Sequence, residues 1–135
     1  MTSKVTYNDN LRTIATHIKS GSEIVTDAPT DNNGKGEKFS PTDLVATALA
    51  SCMLTIMGIA AETHHIDMAD TSCDVEKVMD VNPRRISEIN IVMTFPKNKQ
   101  YTDKEKKILE HAACTCPVHY SLHESIKKDI QFIYA

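Results

Sequence analysis

No block of like charges runs anywhere along this chain, and it holds only three arginines, Arg12, Arg84 and Arg85. With a formal net charge of -3 and 24% charged residues, it offers neither a nucleic-acid surface nor a charged tail. The N-terminal stretch MTSKVTYNDN has no apolar h-region and no cleavage-site pattern. A secretory signal is therefore not expected, and the cytoplasm is the default compartment. In that setting the four cysteines read as reduced, catalytic or metal-binding rather than as a disulfide framework. No internal repeat and no low-complexity linker interrupts the 135 residues, which fits one domain, 1–135, with a real core.

The most informative segment is FSPTDLVATALASCMLTIMGIAAET, Phe39 to Thr63. It starts as a helix should, with Ser40 as N-cap, Pro41 at the first helical position and Asp43 three residues after Ser40. Apolar residues then recur in pairs every four positions: Leu44, Val45, Ala48, Leu49, Cys52, Met53, Ile56, Met57 and Ala60. Leu44 to Ala61 carries no charge, which approaches the length of a membrane span. Thr47, Ser51, Thr55 and Gly58 along one face, the flanking Asp43 and Glu62 and the absence of basic flanks favour a core helix instead, so no membrane partner is expected. A helix from Pro41 to Thr63 is roughly 34 Å long, against a radius of gyration of about 14 Å for a compact chain of this size. It must cross the molecule with both faces covered, by other elements or a second subunit, and Cys52 is expected deep and central.

The remaining pattern is that of an α+β domain with antiparallel sheet. Before the helix, VTY and LRTIATHI flank a turn at Asn8, Asp9 and Asn10, and SEIVT follows a turn at Ser20 and Gly21. Asp27 to Glu37 is a polar loop without a metal or phosphate fingerprint. After the helix come strands around SCDVEKVMDV and ISEINIVMTF, then a helix opened by the capping box Thr102 and Glu105 with Ile108, Leu109, Ala112, Ala113 and Cys116 on one face. Pro117 predicts a kink or a fresh helix, and DIQFIY, with Ile130, Phe132 and Tyr134 alternating, predicts a last strand.

Cys52 and Cys116 lie on the apolar stripes of the two best-defined helices, so packing those helices face to face would let the thiols meet. If Pro117 begins a new helix, Cys116 is its N-cap, where free N–H groups and the dipole favour a thiolate. A thiolate attacking a peroxide O–O bond becomes a sulfenic acid, and a nearby thiol condenses with it to a disulfide. Two thiols are thus the minimum for a cysteine peroxidase. The blander account treats both as small buried hydrophobes. A competing set, His111, Cys114, Cys116, His119 and His123, has the sulfur and imidazole ligands of a zinc site, but its spacing matches no specific motif. Solvent-facing histidines are the plain reading of that set, and His64 and His65 near the helix end read as a dipole-compatible pair, with Cys73 as core.

In S-P-T-D-L-x-A-x-A-L-A-S-C, residues 40–52, and again in Cys116-Pro117-Val118, the sequence resembles the OsmC/Ohr family of osmotically induced and organic hydroperoxide resistance proteins. The resemblance implies an OsmC-like fold of antiparallel sheets with two long central helices in an intertwined homodimer, with active sites at the dimer interface. It implies a thiol-dependent peroxidase acting on organic hydroperoxides, with Cys52 peroxidatic, Cys116 resolving and a dithiol reductant, such as a lipoyl group, as electron donor. No metal or organic cofactor is implied. The family's activating arginine and the glutamate that holds it map imperfectly, onto Arg12 and Asp43. Met53 and Met57 are expected to wall an apolar substrate site. The alternative is a non-catalytic fold relative that binds an apolar small molecule, or a metal through the Cys114–His123 cluster.

Overall fold

The computed structural model describes all 135 residues, in two compact units, residues 1–45 and 46–135. In the first unit, strands β1 (Ser3–Tyr7), β2 (Arg12–His17) and β3 (Glu23–Asp27) form an antiparallel sheet in the order β1-β2-β3. The first turn lies where Asn8, Asp9 and Asn10 predict it. Asp9, Asn10 and Leu11 all take positive φ, a conformation that Asn and Asp tolerate best. The loop after β3 folds tightly, with Gly34 N–H donating to Pro29 O at 2.9 Å and a backbone approach to Ala28 that leaves no room for a Cβ at Gly34.

The side chains buried in this unit are polar: Thr26, Asp27 and Ser40. Its larger apolar side chains, among them Val5, Tyr7, Leu11, Ile18, Ile24 and Phe39, are exposed. A three-stranded sheet needs an apolar face packed on something to be stable, and this one has no apolar core of its own.

Helix α1 (Pro41–His64) begins as the sequence predicts. Ser40 Oγ accepts from Asp43 N–H at 3.0 Å, and Asp43 Oδ2 accepts from Ser40 N–H at 3.0 Å. The reciprocal bonds satisfy two otherwise orphaned donors.

The second unit holds the rest of α1, then β4 (Ser72–Val81), β5 (Arg84–Thr94), α2 (Asp103–Ala113), α3 (Pro117–Ser121) and β6 (Lys127–Ile133). Its sheet order is β4-β5-β6. The β4–β5 pair is antiparallel, but β5 and β6 run parallel, a departure from the all-antiparallel expectation. The cause is the connection: α2 and α3 lie between β5 and β6, and a helical crossover returns the chain in the same direction.

The core is built on central β5, whose alternating Ile89, Ile91 and Met93 are each 0% exposed. They share one apolar cluster with Phe95, with Leu109, Ala112 and Ala113 of α2, and with Ala46, Leu49, Ala50, Met53, Met57 and Ala61 of α1. By length and composition α1 could cross a membrane; its buried stripe makes it the core helix of this unit. The covering is one-sided, however. Val45, Ala48, Ser51, Thr55 and Ile59 stay exposed along the other face, so within the single chain the expectation of two covered faces is not met.

Candidate functional site

Two cysteines from separate elements come together in the second unit. Cys52 sits midway along α1 and is half-buried rather than deep, because the buried stripe runs through Leu49, Met53 and Met57 and leaves Cys52 at its edge. Cys116 is 0% exposed. It occupies the N-cap of α3, where Pro117 opens a new helix as the sequence predicts, and its Sγ accepts from His119 N–H at 3.5 Å. The two thiols are near enough for Cys52 to influence the titration of Cys116, and both are free.

The N-cap position leads one to expect a Cys116 thiolate, and the structure corrects that. Burial pushes the Cys116 thiol up and the neighbouring Cys52 side chain pushes it further, while the N–H groups of His119 and Val118 pull the other way and are outweighed. Cys116 is thereby held toward its neutral thiol form.

Met53 and Met57 do not wall an open site: at 2% and 0% exposure they are interior packing of the α1 stripe. The expectation fails because one residue along a helix turns the side chain by about 100°, enough to send Met53 into the core while Cys52 faces its edge. The apolar opening lies further along α1 instead. It is a groove of about 420 Å³ lined by Ile56, Ile59 and Ala60 of α1 and Ile108 and Ala112 of α2, with His64, His111 and Thr115 on its rim. Ile56 follows Cys52 by one helical turn and Thr115 immediately precedes Cys116, although neither cysteine lines the groove itself.

The zinc alternative loses its ligand set, since no three His, Cys, Asp or Glu side chains converge as a metal site would require. His111 lies in the last turn of α2 and His119 within α3, with Cys114 exposed between them and Cys116 buried. Elsewhere, Cys73 on β4 packs half-buried against the core, and its thiol is pushed up to about 11 by burial, with Asp74 adding to the shift.

Arg12, in the first unit, is held by a different carboxylate from the one expected. Its Nε donates to Asp27 Oδ1 at 2.7 Å and its Nη2 to Asp27 Oδ2 at 2.9 Å, a bidentate pair across the β2–β3 ladder, while Glu37 Oε1 lies 4.0 Å from Nη2. The guanidinium bond, first of all, holds the Asp27 carboxyl below the usual range, and backbone N–H groups of Glu37 and Lys38 add to it. Asp43, expected to hold the arginine, caps its own helix through Ser40. Asp27 is the residue that sequence reasoning missed; the signal for it was the strand register.

A family model described as OsmC-like protein matches residues 34–131, which include both cysteines. Among solved structures, one from Psychrobacter arcticus 273-4, provisionally described as an osmotic stress induced and detoxification response protein, is 54% identical. It covers 98% of this chain and 96% of its own, with a TM-score of 0.94. An OsmC-like protein from Mycoplasma pneumoniae shares the fold at 19% identity and a TM-score of 0.80, covering 98% of this chain and 95% of its own. So does an organic hydroperoxide resistance protein OsmC from Legionella pneumophila, at 14% identity and a TM-score of 0.75, over 96% and 93% of the two chains. Among curated proteins, none is similar enough to this chain to count as a match. The family model and the Psychrobacter structure together settle the kinship: this chain belongs to the OsmC-like family.

Proposed function

We propose that this protein is a thiol-dependent peroxidase that reduces organic hydroperoxides, with Cys52 attacking and Cys116 resolving. The observation that carries the reading is the neighbouring placement of a half-buried Cys52 and a fully buried Cys116, both free thiols. Attack by the Cys52 thiolate breaks the O–O bond, releases the alcohol and leaves a sulfenic acid. Condensation with Cys116 expels water and forms the disulfide, which a dithiol, such as a lipoyl group, returns to two thiols by exchange. Cys52 suits the first role because it is the more reachable sulfur, and Cys116 the second because burial shields it from peroxide. The apolar groove between α1 and α2 suits the apolar part of an organic hydroperoxide. The name of the Legionella relative supports the same substrate class.

The active form in this reading is a homodimer. The uncovered α1 face, with its small Ala48 and Ser51, permits close approach of a second helix, and the first unit's exposed apolar side chains require cover. Arg12, held by Asp27, and Asp43 enter as the candidate activators that the resemblance implies, and a cytoplasmic location belongs to the same proposal. A second reading, binding of an apolar small molecule without turnover, rests on the groove alone.

The two are separated by stopped-flow thiol consumption in wild type, Cys52→Ser and Cys116→Ser. The peroxidase reading expects fast loss with cumene hydroperoxide, slower loss with hydrogen peroxide, abolition by Cys52→Ser, and over-oxidised Cys52 in Cys116→Ser. Slow loss in all three proteins, indifferent to the peroxide, would favour binding.

A further inference from the structure

The end of α2 away from the cysteines carries a basic cluster that the thiol chemistry does not use. Residues 97–107, KNKQYTDKEKK, hold five lysines against two acidic residues. Lys97, Lys104 and Lys107 are exposed, whereas Lys99 and Lys106 are half-buried. The half-buried pair lines a pocket of about 210 Å³, together with Gln100, Tyr101, Tyr134 and Ala135. Lys106 is in the second turn of α2, and roughly 10 Å of helix separates it from the far end, beyond which Cys116 lies.

Both ammonium groups are held in place. Lys99 Nζ donates to Asp67 Oδ1 and to Ala69 O, each at 2.8 Å, and its side chain is 18% exposed. An ammonium has three donors, so one is left for a further acceptor. Lys106 Nζ lies over the Tyr134 ring, 4.6 Å from its centroid, a cation–π contact that positions the charge without an oxygen acceptor. The rings are fixed as well: Tyr134 stacks on Phe95 at 4.4 Å between centroids, and Tyr101 meets Phe95 and Tyr134 edge-on at 5.2 and 5.9 Å. Their hydroxyls are engaged elsewhere, Tyr101 Oη donating to Asp67 O at 2.7 Å and Tyr134 Oη to Glu110 Oε2 at 3.1 Å. The nearby carboxylates have partners too, Asp67 in Lys99, Glu110 in Tyr134 and Glu105 in the Thr102 N–H. Side chains ordered in advance lower the entropy cost of binding.

We propose that this pocket binds a small phosphorylated molecule, with Lys99 and Lys106 holding the phosphoryl oxygens and the Tyr101 and Tyr134 rings bounding the organic part. Two point charges from different segments suit a group with several acceptor oxygens, and a lysine ammonium binds phosphate in that way. The exposed Lys97, Lys104 and Lys107 raise the local concentration of anions around the opening. The volume falls below the roughly 300 Å³ at which pockets for drug-sized ligands begin, so it takes a compact monophosphate and not a dinucleotide or a nucleic-acid strand. No part of this inference depends on the peroxidase reading.

Backbone amide NMR of the full chain, titrated with inorganic phosphate and with phenyl phosphate at an ionic strength held constant with chloride, tests the proposal. Saturable shifts centred on Gln100, Tyr101 and Lys106 are expected with both probes. Phenyl phosphate should bind several-fold more tightly, because its ring meets the tyrosines. Lys106→Gln should weaken phenyl phosphate by about tenfold or more, and Lys106→Arg, which keeps the charge, should retain most of the affinity. Lys104→Gln, on the exposed rim, should change it less than about twofold. Shifts that fail to saturate, that spread evenly over the five lysines, or that Lys104→Gln diminishes as much as Lys106→Gln would reveal diffuse ion screening and overturn the proposal. Equal affinity for the two probes would overturn it too, since the rings would then bound nothing. The wild-type titrations decide even if a variant fails to fold.

Discussion

Met57→Ala is expected to destabilise the protein by about 3 kcal/mol, within the usual range of roughly 2–5 for truncating a buried methionine. The figure follows from position: Met57 is 0% exposed and lies among the α1 and β5 side chains of the core cluster, so removing it beyond Cβ leaves a cavity that a central strand and a long helix cannot collapse into. Two residues away, Ile59 is 57% exposed, and Ile59→Ala in an isolated chain should cost no more than about 0.5 kcal/mol. Urea unfolding at matched protein concentration reads both. With a slope of about 2 kcal/mol per molar urea, Met57→Ala should lower the midpoint by roughly 1.5 M. If a second copy covers the outer face of α1, the Ile59→Ala deficit should grow with protein concentration, since association adds stability by mass action. Equal shifts for the two variants, or a loss below about 1 kcal/mol for Met57→Ala, would refute the packing of α1 described above.

Acid should weaken the first unit through Asp27, whose folded pKa is lowered by Arg12. Its contribution is complete above the unfolded carboxyl value of about 3.9 and is lost as pH falls through the lower folded value. Asp27→Asn should therefore melt lower than wild type at neutral pH and lose that part of the acid dependence, as thermal unfolding across pH would show. A thiol-alkylating reagent at mildly alkaline pH should modify exposed Cys114 first and Cys73 slowly, because a thiol pushed up to about 11 holds little thiolate there; peptide mapping gives the order. Thr102→Ala removes a hydroxyl that accepts from Glu105 N–H at 3.1 Å and should cost about 1 kcal/mol in the same urea assay.

Local chemistry was the legible part of this sequence. The Ser40–Asp43 and Thr102–Glu105 caps, the Pro117 restart and the alternation along β5 each depend on residues a few positions apart, and all stand as read. The family was legible for the same reason, since its motif is local. What the sequence concealed depends on register and helical angle. Folding the chain back at Lys19 and Ser20 sets Arg12 opposite Asp27, but the hairpin has to be drawn before the pair is visible. Cys52 and Met53 both belong to an apolar run, and only the direction of the core shows that one is interior and the other lies at the edge. The parallel β6 was hidden likewise, because alternation in Ile130, Phe132 and Tyr134 is the same for either strand direction; the α2–α3 crossover decides it. The rise of the Cys116 thiol reflects burial, which a helix-cap motif cannot report.

The most direct test of the central claim is mass spectrometry of the fully reduced protein after one equivalent of cumene hydroperoxide, with the cysteine-containing peptides mapped. The account predicts one dominant cross-linked species joining Cys52 to Cys116, with Cys73 and Cys114 still free. Recovery of Cys52 and Cys116 as unmodified thiols while the peroxide persists, or a disulfide that engages Cys114 in place of Cys116, would contradict it.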